Sequence, residues 1–172
     1  QVHDPESVAI VRRTAETGTK MRQAGLVDLA RDDRKALRLL TEFDSQRNEM
    51  FFARRVMLVE GNTEKVALPL VCRMMGIDIN KENVSIIECG GKTKIPLFAR
   101  VADKLGIPFI VLVDHDIRDI KDEWSKTRKA DETGRNKKHR QWNTAIVDVA
   151  GQERTFFLMP DFEGAMGLAV AD

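Results

Sequence analysis

The sequence predicts an α/β fold, a parallel sheet of about four strands flanked by helices and preceded by an N-terminal helical connector, and three observations predict it. Short runs of four or five mostly apolar residues recur at 56–59, 84–87, 109–113 and 155–159. Stretches with helical spacing of their apolar positions separate the first three runs. Glycines stand at the joints, at Gly61, Gly76, Gly90, Gly91 and Gly106. Short apolar runs alternating with amphipathic helices indicate βαβ units, whose parallel strands are buried on both faces.

Taken in order, residues 8–13 and 19–22 read as two short strands around a turn at 16–18. Residues 26–53 carry a charged helical pattern, with Leu29, Leu37, Leu39, Leu40, Phe43, Met50, Phe51 and Phe52 as its apolar positions. This stretch is expected to be a connector, packed on the sheet or used as a dimer surface. After the first sheet strand, Gly61 opens a helix with Val66, Leu68, Leu70, Val71, Met74 and Met75, ending near Gly76. After the second, Gly90-Gly91 precedes a helix with Ile95, Leu97, Phe98, Val101 and Leu105, closed by Gly106. Residues 117–140 are polar, with nine Lys/Arg against five Asp/Glu, and are expected to form a long loop or a loosely packed helical excursion. A last helix over 141–150 would lead to the fourth strand, and Pro160-Asp-Phe-Glu163 opens a further helix. The expected domain boundaries are thus 1–25, a connector at 26–54, and a catalytic domain at 55–172 with a polar insertion at about 117–150.

Composition bounds the class. A chain of 172 residues, 42% apolar, can bury a core for one domain with appended helices. Its 28 basic and 27 acidic residues nearly cancel, so charge alone names no partner. No apolar run approaches the ~20 residues of a membrane helix, and no signal peptide opens the chain. Cys72 and Cys89 show neither CxxC spacing nor a His cluster, which points to two buried thiols in a reducing cytoplasm. The sequence begins without Met and stops in mid-pattern at Asp172, as a piece of a longer protein would.

Carboxylates follow every predicted sheet strand: Glu60 and Glu64, then Glu88, then Asp114 and Asp116, then Asp161 and Glu163. The carboxyl ends of parallel strands share one edge of the sheet, where such folds bind ligands. Four chain segments are therefore expected to deliver carboxylates to one crevice. So many like charges require a cation. An all-oxygen set without His or Cys suits Mg²⁺, Mn²⁺ or Ca²⁺ rather than zinc. With two such ions, a site of this kind activates water and stabilises the leaving oxygen of a phosphodiester. Singly, an Asp after a strand is more often an N-cap or turn residue, and Glu64 a solvated helix residue. Their joint occurrence, with Gly61 permitting a tight turn, favours the metal site.

These residues resemble a known family. Leu58-Val-Glu-Gly-Asn-Thr-Glu64 followed by Val111-Leu-Val-Asp-His-Asp116 is similar to the Toprim signature, a strand-end Glu-Gly and a later Asp-x-Asp on a Rossmann-like sheet. Asn48-Glu-Met-Phe-Phe-Ala53, Gly90-Gly-Lys and Leu105-Gly-Ile-Pro-Phe add a closer resemblance to overcoming-lysogenization-defect (OLD) nucleases. The resemblance covers residues 49–116 well and 156–167 more weakly. It implies DNA nicking and cleavage with two Mg²⁺ or Mn²⁺ ions, or Ca²⁺ as an occupant, in settings of DNA repair and phage defence. Carried over, Glu60, Glu64, Asp114 and Asp116 match metal ligands and catalytic residues, and Glu163 a further acidic ligand. It also implies a homodimer and an ABC-type ATPase domain in cis, whose tail residues 8–22 resemble. No phosphate-binding Gly-x-x-x-x-Gly-Lys-Ser/Thr motif is present, so no nucleotide is expected here. The family's C-terminal lysine finds no match before Asp172.

Other residues leave alternatives open. Lys92 follows Gly90-Gly91 and either meets a phosphate, with Gly61 and Gly91 beside the substrate, or is a solvated loop lysine. Arg128 and Lys129 either contact a DNA backbone or belong to a mixed-charge surface. His115 should point away from its two aspartates and pack. Trp124 and Trp142 either stack on a base or pack on helices. The absence of tyrosine disfavours a topoisomerase, whose nucleophile it is. A primase would need a larger polymerase body. An aspartyl phosphatase would not require Glu60-Gly61. A non-catalytic Toprim DNA-binding or recombination-mediator module is the alternative to a nuclease.

Overall fold

The computed structural model describes residues 9–14, 18–23 and 45–167. Strands β1 (Ala9–Thr14) and β2 (Gly18–Gln23) pair antiparallel as a hairpin, as the turn signal predicts. The connector expected over 26–54 lies outside the described residues up to position 44. Its remainder is one turn of helix, α1 (Ser45–Asn48), and a 3₁₀ turn (Glu49–Phe51) that buries Met50 and Phe51.

The sheet is parallel, with strands β3 (Arg55–Val59), β4 (Val84–Glu88), β5 (Phe109–Asp114) and β6 (Thr155–Leu158). Their spatial order is β4-β3-β5-β6. Consecutive strands therefore step outward in opposite directions from the adjacent central pair, and the ends of β3 and β5 form the switch point where open α/β sheets bind ligands.

Each strand's two faces go to different layers. Val56, Leu58, Ile87, Cys89, Val111 and Val113 join the larger core, covered by α3 (Ile95–Leu105) and the C-terminal half of α4 (Lys126–Ala150). Helix α3 buries seven residues, carries Pro96 in its first turn and ends at Gly106, whose φ of 63° accepts the left-handed cap. The opposite face, with Val59, Ile86, Met57 and Leu112, is covered by α2 (Asn62–Met74) and the one-turn α5 (Phe162–Ala165).

Two expectations change here. Burial on both faces is uneven, because α2 seats mainly Leu68 while Val66, Leu70 and Met74 face outward and Phe156 is half exposed. Of the two alternatives for 117–140, the helical one holds from Lys126 onward, but without the break expected before 141. After a loop, α4 runs unbroken for 25 residues and absorbs the short helix expected at 141–150. Its apolar positions are too few to show a stripe, because the buried side of its N-terminal half is polar (Glu132, Asn136).

Both cysteines are free, and burial pushes the Cys89 thiol far above its ordinary range, which makes it a packing residue. No helix among the described residues is long and apolar enough to cross a membrane.

Candidate metal centre

The site begins with two strands that stop side by side. Glu60 follows β3 directly, Asp114 is the last residue of β5, and Asp116 stands two further on. Glu60, Asp114 and Asp116 each offer a carboxylate oxygen, and these three oxygens lie within 4.8 Å of one another. Glu64, one helical turn after Gly61, is 4% exposed. Its carboxylate accepts the Gly61 N–H at 3.2 Å, an anion capping the positive end of α2. Its charge adds to the crowding at Asp114 and Glu60.

Gly61 is extended (φ −137°), so the tight turn expected of it is not the reason for glycine. A Cβ there would meet the Glu64 carboxylate at 3.3 Å, and close approach is what the position requires. Gly91 differs: its φ of 108° is closed to ordinary L-residues, and its N–H donates to the Glu60 carbonyl at 2.9 Å.

That turn aims Lys92 inward. Its side chain is 2% exposed, so the solvated-lysine alternative does not hold. The ammonium donates to the Asp114 carbonyl at 2.6 Å and the Asp116 carboxylate at 2.8 Å, and the Lys92 backbone N–H bonds the Glu60 carboxylate. One lysine therefore touches all three members of the trio. Its burial was invisible in the sequence, where only the preceding glycines hinted at a constrained turn.

Electrostatics follow from this crowding. Burial, then the charges of Glu64, Asp116 and Glu60, push the Asp114 carboxyl up to about 7, against the pull of Lys92. Glu60 is also raised, by burial above all, with Lys92 opposing and Asp116 and Glu64 adding. One oxygen each of Glu60 and Asp114 is buried without any hydrogen-bond partner. Unpaired buried carboxylate oxygens are costly. Hard oxygen donors aimed at one point, with two of them unsatisfied, fit a divalent cation such as Mg²⁺ or Mn²⁺.

Four segments were expected to converge, and two do. Glu88, after β4, instead pairs with Arg47 at 2.7 Å. The reason is strand order: β4 lies at the sheet edge, next to the chain segment carrying Arg47. Asp161, after β6, caps α5 by accepting the Gly164 N–H at 2.9 Å, with Arg118 at 3.8 Å. Glu163 is half-buried on α5 and lies outside the trio. His115 packs edge-on against Phe157, as alternation predicts.

His139 was not foreseen as part of the site. His139 of α4 places Nδ1 3.4 Å from both the Asp116 carboxylate and the Lys92 ammonium. Burial lowers its pKa, with Asp116 opposing. A groove of ≈ 960 Å³ opens one residue past Asp116, lined among others by Ile117, Arg118, Lys121, Trp124, Arg128 and Asp161. Arg128 lies over the Trp124 ring at 4.3 Å, and Lys129 stands 3.8 Å from Asp122.

Comparison with known proteins matches residues 51–116 to the Toprim domain of overcoming-lysogenization-defect-like proteins. A curated relative described as an OLD nuclease, from Thermus scotoductus, is 34% identical over 135 residues. The match takes in 78% of this chain, which spans 26% of that relative's length. Solved structures also align with this chain. The C-terminal region of the Burkholderia pseudomallei OLD protein gives a TM-score of 0.45 at 21% identity, covering 62% of this chain and 53% of that one. The corresponding region from Xanthomonas campestris pv. campestris gives 0.41 at 22% identity, covering 63% and 51%.

Proposed function

Because residues 51–116 carry a Toprim domain of the overcoming-lysogenization-defect type, we propose that this chain is the catalytic part of a divalent-metal-dependent endonuclease that nicks and cleaves DNA. The observation that carries the reading is the convergence of Glu60, Asp114 and Asp116 at the ends of adjacent central strands, with two buried oxygens unsatisfied. Glu60, Asp114 and Asp116, backed by Glu64, would hold Mg²⁺ or Mn²⁺. The reading takes two ions, with Ca²⁺ able to occupy the site and Glu163 as an outer contributor. A cation bound there supplies a lowered water pKa and positive charge against phosphodiester oxygens.

The chain's own residues do the rest. Lys92 holds Asp116 and the β5 terminus in place and offers a buried positive charge beside a phosphate. Gly61 and Gly91 keep the backbone slim at the mouth of the site. Arg118, Lys121, Arg128 and Lys129 stand on or near the adjacent groove, where a phosphate backbone would lie, although Asp119, Asp131 and Asp161 share that wall. We place this catalytic part after an ABC-type ATPase domain in a cytoplasmic homodimer, with the hairpin β1–β2 as the tail of that domain.

The test is direct. Purified protein with Mn²⁺ or Mg²⁺ is expected to nick supercoiled plasmid, chelator to abolish nicking, and Asp114→Ala to lose it while remaining folded. Cutting that persists in chelator overturns the reading.

A further inference from the structure

Helix α4 buries a stripe that a core-packing helix would not choose. Glu132, Asn136, His139, Asn143, Ile146 and Ala150 recur at spacings of four and three, one face of a helix. The last two are apolar and fully buried. Asn136 and Asn143 are 6% and 7% exposed. Burying amides where leucine would serve is unfavourable unless the amides satisfy something that needs them.

What they satisfy is the four-residue segment leaving β5. Asn143 Nδ2 donates to the His115 carbonyl at 2.9 Å. Asn136 takes both backbone polar groups of Arg118, accepting its N–H at 3.1 Å and donating to its carbonyl at 2.8 Å. His139, between the two, reaches the Asp116 carboxylate and Lys92 at 3.4 Å each. From the other side the Leu158 carbonyl accepts the His115 N–H and the Pro160 carbonyl accepts the Asp116 N–H, both at 2.8 Å.

Held in the middle is Asp116, with φ 59°, a left-handed conformation uncommon for a non-glycine residue, though aspartate enters it more readily than most. We infer that the polar stripe Asn136–His139–Asn143 is a splint that fixes Asp116 in its ligating conformation, with His139 as the positioning residue that touches the carboxylate. The inference rests on the metal-centre reading above. It assigns a role to a helix that lies wholly outside residues 51–116. Residues behind metal ligands typically change metal affinity about 10–100-fold when removed.

The test measures Mn²⁺ binding to the full chain by electron paramagnetic resonance and calorimetry, alongside thermal melting. Wild type is expected to bind Mn²⁺. His139→Leu is expected to bind about 10–100-fold more weakly. His139→Asn, which places an amide group where Nδ1 stands, is expected to bind close to wild type. His139→Gln, which reaches the Nε2 position instead, should follow the leucine variant. Wild type that binds no Mn²⁺ defeats the metal-centre reading itself. Wild type that binds while His139→Leu binds equally well overturns only the splint. Should His139→Leu fail to fold, equal affinities for the Asn and Gln variants overturn it.

Discussion

The Lys92 ammonium and the Asp116 carboxylate meet at 2.8 Å across 24 residues of sequence, and Lys92 is the more deeply buried of the pair. A lysine is buried only where anions repay its dehydration. Here four carboxylates crowd one strand edge, and this ammonium touches the Asp116 carboxylate and the Asp114 backbone carbonyl.

Replacing Lys92 with methionine keeps the volume and removes the charge. In chelator the variant is expected to be less stable by about 1–3 kcal/mol, the cost of leaving buried acceptors unpaired. Mn²⁺ should restore more stability to Lys92→Met than to wild type, because a cation takes over part of the neutralisation. Urea unfolding with and without metal measures both.

Asp114 gives a pH dependence of definite sign. Its folded carboxyl releases its proton near 7, whereas in the unfolded chain the ordinary value is 3.8. Between those values the folded state binds more protons, so metal-free stability falls as pH rises through this window and levels above it. Glu60, also raised, acts in the same direction. Unfolding in chelator across roughly pH 4 to 8 should show the slope, and Asp114→Asn should flatten it.

The same Asp114→Asn variant is expected to be more stable than wild type in chelator near neutral pH, since it removes a like charge from a buried cluster. It should at the same time lose most Mn²⁺ affinity. Stability gained together with ligand affinity lost marks a residue held for chemistry rather than for folding.

Gly91→Ala tests the turn behind Lys92. No neighbouring atom obstructs a Cβ there, so its whole cost is the backbone at φ 108°. A loss of about 1–3 kcal/mol is expected by urea unfolding. If the turn relaxes to relieve that strain, Lys92 is displaced and Mn²⁺ affinity changes with it.

The sequence made the sheet and its order of elements legible because each strand is a dense apolar run and each early helix an apolar stripe. The central acids were legible for a topological reason: Glu60 and Asp114 end neighbouring strands, and a parallel sheet brings such ends together. Glu88 and Asp161 obeyed the same rule of position but were claimed by Arg47 and by a helix cap, contacts set by strand order and distant sequence. The N-terminal half of helix α4 reads equally as a loop or a loosely packed helix because its inward face is amide and imidazole, which carry no hydropathy signal. Lys92 stands out as a candidate in the sequence, but its burial was not legible, since its partners are a carbonyl and a carboxylate more than twenty residues away.

The change of lining along α4 also sets how that helix opens. Near Ile146 and Ala150 it is clamped by the core, and its amides should exchange with deuterium only when the domain unfolds. Around Asn136 and Asn143 it is tied through bonds to one short segment, and exchange there should slow when metal locks that segment. The first turns after Ser125 are largely exposed and should exchange fastest. A single helix would then report three depths of protection in sequence, with the middle band alone answering to the cation.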